Sequence, residues 1–157
     1  MDAKTFRTAT ATVLTEICDG PVDAKLTWVV SNTPGSGVLG TVSALNAEQA
    51  KHRPAGASHS VAEHVAHMVF ALKLARQYAA GTIAPGDWDS SWNTGDLDDA
   101  AWAALQDALR AAYQDLLAFE TPDETFDSFE TVCGFCATVA HAAYHLGAIR
   151  QLAVIAK

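Results

Sequence analysis

The chain has 157 residues, half of them hydrophobic, and a formal net charge of −8. That length suits a single domain spanning residues 1–157, and the apolar content excludes a disordered chain. Ten scattered Lys and Arg offer no basic patch for nucleic acid, and Cys18, Cys133 and Cys136, the only cysteines, suit a reduced compartment rather than a disulfide framework.

No run of 18 or more apolar residues occurs, so no membrane span is expected. The opening Met1-Asp-Ala-Lys-Thr-Phe-Arg lacks a signal-peptide pattern, which makes the cytoplasm the expected location. Lys4 to Cys18 reads as a first helix, with Phe6, Ala9, Val13, Leu14 and Ile17 near a 3.6-residue period. Its threonines lower intrinsic propensity, so packing must support it. Asp19-Gly20-Pro21 ends it. Val22 to Gly40 is less regular, with a possible extended piece at Leu26–Val30 and a loop at Ser31–Gly37. Gly35-Ser36-Gly37 lacks the strand-Gly-helix-Lys context of a phosphate cradle and reads as plain loop. A short helix from Val38 to Leu45 and a capped turn at Asn46–Gln49 follow.

Ser60-Val-Ala-Glu63 is a capping-box sequence opening a helix from Val61 to Ala80, with Gly81 beyond its end. Thr82 to Leu97 is a long connection holding Trp88 and Trp92, whose rings can either plug a bundle edge or wall a ligand pocket. Asp98 caps a helix from Asp99 to Phe119, and Thr121-Pro-Asp-Glu precedes a last helix from Phe129 to Ala156. Four long amphipathic segments predict an all-α four-helix bundle.

Six histidines are present. His52 and His59 lie in a polar, Pro/Gly-containing segment that predicts exposure. His141 and His145 are one helical turn apart on one face, a spacing at which two imidazoles can hold one metal ion. A third ligand must come from another helix, and His64 or His67 can supply it. His67 lies deeper past the Ser60 cap; Glu63, one turn before it, either caps the helix or orients its ring. Cys133 and Cys136 followed by these two histidines suggest a Cys₂His₂ finger by count. On a continuous helix, however, Cys136 and His145 fall on nearly opposite faces, so the cysteines read as buried structural residues.

The segments Ser60-Val-Ala-Glu-His-Val-Ala-His67, His141-Ala-Ala-Tyr-His145-Leu-Gly147 and Ile149-Arg-Gln resemble the DinB-like superfamily of metal-binding four-helix bundles, over about Ala44 to Lys157. Carried onto this chain, the family's ligand positions are His67, His141 and His145. Ala148 stands where many members have Gln, and the segment from Gly20 to Gly40 looks longer than usual, as a cover for the metal or a subunit contact. The resemblance implies a divalent metal, zinc or nickel. For some members it also implies transfer of a low-molecular-weight thiol (mycothiol, bacillithiol or glutathione) to a small electrophile in detoxification or stress response. A non-catalytic metal-binding stress or scaffold bundle and a metal-dependent hydrolase remain the alternatives. His64, Glu63, Tyr144, Trp88 and Trp92 are the residues expected around the metal or its pocket. The apolar content of all four long segments predicts a homodimer.

Overall fold

The computed structural model describes residues 2–23, 25–82 and 85–156. Ile83 and Ala84, inside the predicted Thr82–Leu97 connection, lie outside the described residues, as do Met1, Ala24 and Lys157. Among the described residues the chain forms six helices: α1 (Ala3–Asp19), α2 (Val38–Val42), α3 (Ala47–Lys51), α4 (Val61–Ala79), α5 (Asp99–Ala118) and α6 (Phe129–Ile155). Two 3₁₀ turns, Ser90–Trp92 and Asp123–Asp127, lie in the connections. No strand is present among them; the expected extended piece is reduced to one isolated bridge between Asp23 and Leu26.

The predicted caps Asn46, Ser60 and Asp98 form, and the structure adds Asp2 and Ser128. Asp2, Asn46, Ser60, Asp98 and Ser128 each accept a backbone N–H of the following first turn, with reciprocal capping boxes at Asn46–Gln49 and Ser60–Glu63. α4 packs against α5 and α6, and α1 against α6 and α5, which makes the four long helices a bundle. Ile17, Val61, Val65, Met68, Leu109, Leu146 and Ile149 meet in its core. Trp102 anchors the short helices to it, donating its indole N–H to the Leu45 carbonyl at 2.8 Å.

The segment between α1 and α2 is built around Glu16, whose buried carboxylate accepts the backbone N–H groups of Trp28, Val29 and Val30 at 2.5–3.0 Å. Burial pushes that carboxyl's pKa up, but the three N–H groups outweigh it and hold it below the ordinary value. This explains why irregular chain rather than a strand forms here: a side chain, not a partner strand, satisfies the backbone. Backbone also packs directly on backbone. A Cβ at Gly40 would lie 2.1 Å from the Gly35 carbonyl oxygen, and one at Gly37 would lie 2.6 Å from that of Cys18. The glycines therefore serve close approach, not phosphate binding. From the other side Arg150 of α6 donates to the Ser36 carbonyl at 2.6 Å.

By length and composition alone, α6 is long and apolar enough to cross a membrane, although no uninterrupted apolar run predicted this. Its composition has a local use: it is the helix that packs on α1, α2 and α4 and carries two of the site histidines. Cys18 is buried, but Cys133 and Cys136 are exposed, correcting the expectation of buried structural cysteines. The helix is continuous past them, so their face turns outward, away from its contacts with the bundle.

A candidate metal centre between two helices

The Ser60–Glu63 box fixes where α4 begins, and with it the register of His64 and His67. Glu63 accepts the Ser60 N–H at 2.6 Å and also pairs with Arg53. The two histidines are three positions apart, so both turn toward α6, and both are buried. On α6, His145 is buried and His141 half-buried, their ring centroids 4.4 Å apart.

Three ring nitrogens converge. His141 Nε2 lies 3.2 Å from His67 Nε2 and 3.0 Å from His145 Nε2, and the ligand atoms of the three residues all lie within 4.8 Å of one another. A zinc–nitrogen bond of roughly 2.0–2.1 Å puts neighbouring ligand nitrogens about 2.9 Å apart at a right angle and about 3.3 Å apart at the tetrahedral angle. The observed separations fall in that interval. Three lone pairs facing one another at such distances repel unless a cation or a proton lies among them, so the donor set fits a divalent metal.

The outer hydrogen bonds fix which nitrogen of each ring carries its proton. Ser91 Oγ donates to the Trp88 carbonyl at 2.5 Å, so toward His67 Nδ1, 2.6 Å away, it accepts. His67 thus holds its proton on Nδ1 and turns the Nε2 lone pair to the centre. His145 repeats the pattern: its Nδ1 lies 2.8 Å from His64 Nδ1, and with Nε2 turned inward it donates there. His64 is thereby the group that orients the His145 ring. Trp92 stacks on His67 at 3.8 Å and on His59 at 3.7 Å, one imidazole on each face of the indole.

Burial disfavours the imidazolium form throughout the cluster. It pushes His64 down to about 4, with His59 adding to the effect, and His67 down to about 4, with His141 and His64 adding. His145 falls to about 3, and His141 is lowered by the same loss of solvent. All four are therefore neutral near pH 7, the form in which imidazole binds a metal.

The other expected residues take different places. Glu63 is occupied by its cap and by Arg53, while Ser91 is the group that meets His67 Nδ1. Tyr144 is largely exposed and touches His145 with its ring edge, centroids 5.1 Å apart. His52 is exposed as expected, but His59 is half-buried against Trp92. Neither Ser91 nor the His59 stack was signalled by spacing, since both depend on how the 3₁₀ turn Ser90–Trp92 folds back onto α4. Trp88 lies 6.3 Å from His141 between ring centroids and forms part of the wall of a cavity of about 540 Å³ that opens beside that histidine.

A family model described as the DinB superfamily matches residues 36–149, well over half of the chain. No curated protein and no solved structure matches.

Proposed function

The chain belongs to the DinB superfamily, and from that membership we propose that it is a divalent-metal enzyme using His67, His141 and His145 as ligands, of the metal-dependent thiol-transferase kind. The observation that carries this reading is the juxtaposition of three converging Nε2 atoms with a cavity of about 540 Å³ sharing His141 in its wall. A metal held only for structure is closed off by four protein ligands, whereas a catalytic one keeps a position for substrate. Zinc and nickel both suit three imidazoles. When bound, such a cation supplies Lewis acidity and lowers the pKa of a ligating thiol. The protein's own groups do the rest: Ser91 and His64 hold two ligand rings in the required tautomer, and Trp92 packs flat against His67.

The test is elemental analysis of protein prepared without a histidine tag, followed by a thiol-consumption assay. Glutathione and 1-chloro-2,4-dinitrobenzene are suitable probes: a carbon–sulfur bond forms and chloride and a proton leave. One divalent ion per chain and metal-dependent consumption are expected. Stoichiometric metal with no metal-dependent consumption of glutathione, bacillithiol or mycothiol would remove the transferase reading and leave a metal-binding bundle.

A further inference from the structure

The cavity beside the histidines runs between α4 and α6. Met68 and Trp88 lie near its inner end with His141, and Tyr78 and Glu130 lie at the other. His141 and Glu130 are eleven positions apart on α6, a distance of about 16 Å along a helix rising about 1.5 Å per residue. Its wall is overwhelmingly apolar. Thr138, which could have offered a hydroxyl, donates it to the Gly134 carbonyl of its own helix at 2.9 Å. Among the lining residues Glu130 alone carries a full charge at neutral pH, and it is exposed at the end remote from the histidines.

We propose that this cavity binds an apolar, uncharged chain whose single ligating head sits at the three-histidine centre, so that the substrate is a medium-length alkyl or arylalkyl compound. The head-group part rests on the metal reading above. Three features select this class. The volume lies within the range that encloses small organic ligands. The long dimension starts at His141, so a chain anchored by its head extends away from the metal. An acidic group at the far mouth repels a carboxylate or phosphate tail, and no wall residue offers a cation to a polyanion. In a thiol transfer this is the place of the electrophile, not of the polar thiol.

The experiment is calorimetric titration of the zinc-loaded full chain with straight-chain hydroxamates from acetohydroxamate to octanohydroxamate. Each added methylene should tighten binding about fourfold until the cavity is filled. Gly134→Leu is the blocking variant, since a Cβ at Gly134 meets nothing within 4 Å and leucine is the better helix former. It should abolish the chain-length dependence while leaving metal stoichiometry and acetohydroxamate affinity unchanged. Equal affinity across the series with zinc bound stoichiometrically overturns the cavity proposal and spares the metal reading. If the protein binds no metal, the same titration with butan-1-ol to octan-1-ol decides. A stepwise gain lost in Gly134→Leu supports an apolar-chain site without the metal head; a flat series overturns it.

Discussion

Ser91 accepts the Nδ1 proton of His67, because its own hydroxyl hydrogen is committed to the Trp88 carbonyl. With His67 as a ligand, as proposed, a serine in a 3₁₀ turn becomes a determinant of metal affinity. Ser91→Ala should weaken metal binding about tenfold to a hundredfold, and Ser91→Thr should restore most of it. Chelator competition at pH 7.5 measures both. Equal affinity in wild type and Ser91→Ala would mean that the hydroxyl does not orient His67.

The four clustered histidines should divide three to one. His67→Ala, His141→Ala and His145→Ala should each lose stoichiometric metal. His64→Ala should still bind one ion, about tenfold or more weakly, since it removes only the group that receives the His145 proton. Loss of metal in His64→Ala with retention in His67→Ala would exchange their roles.

Stability of the metal-free protein should be flat between about pH 7 and pH 8 and fall as pH drops below 6.5. The unfolded chain takes up protons near the ordinary histidine value of 6.5, while the folded state refuses them until about 4 for His64 and His67 and about 3 for His145. The unfolded state thus binds more protons throughout that window, and acid favours it. Urea midpoints between pH 8 and pH 5 would show the trend, and a midpoint that rises on acidification contradicts it. Metal affinity of the folded protein, by contrast, should hold through that range and fall only toward about pH 4, where His67 begins to take up a proton.

Glu16→Ala should cost roughly 2–3 kcal/mol, because three backbone N–H groups lose their acceptor. Urea unfolding measures the loss, and metal stoichiometry should survive it. No hydrogen bond or ring contact among the described residues joins the Glu16 loop to the histidines. A variant as stable as wild type would show that water replaces the carboxylate at no cost.

Self-association, expected from the apolar content of the long segments, is proposed through the outer face of α6, where Tyr144, Val154 and Ile155 remain exposed. Sedimentation at high micromolar concentration should report a dimer, and Tyr144→Glu should shift it toward monomer. A monomer in the wild type rejects the proposal.

The long helices were legible because their caps are local chemistry: Ser60 with Glu63, Asp98 and Asn46 with Gln49 each declare a helix start within four residues. That a histidine of α4 would meet His141 and His145 was legible for a related reason, since one face of each helix had to meet the other, whereas the choice of His67 over His64 came mainly from the family resemblance. Contacts that join distant parts of the chain were not. Glu16 reaches residues 12 to 14 positions away, Arg150 reaches Ser36 across 114, and Ser91 meets His67 across 24. None of these partners is marked by periodicity or by a local motif. The exposure of Cys133 and Cys136 was misread for the complementary reason: cysteine is usually buried, and only the packing of α6 decides which of its faces is covered.

The stacking of Trp92 on the His67 imidazole gives the protein an internal optical probe. Of its four tryptophans, Trp102 is buried in the core and Trp28 lies largely in solvent, so neither senses the centre directly. Trp92 lies 3.8 Å from the His67 ring, and whatever charge arrives on that ring arrives against its π-face. Trp88 also lies near the centre, 5.6 Å from the His67 ring between centroids, so an emission change on metal addition that is reduced in Trp92→Phe and lost when Trp88→Phe is added would let occupancy be followed in real time without a label.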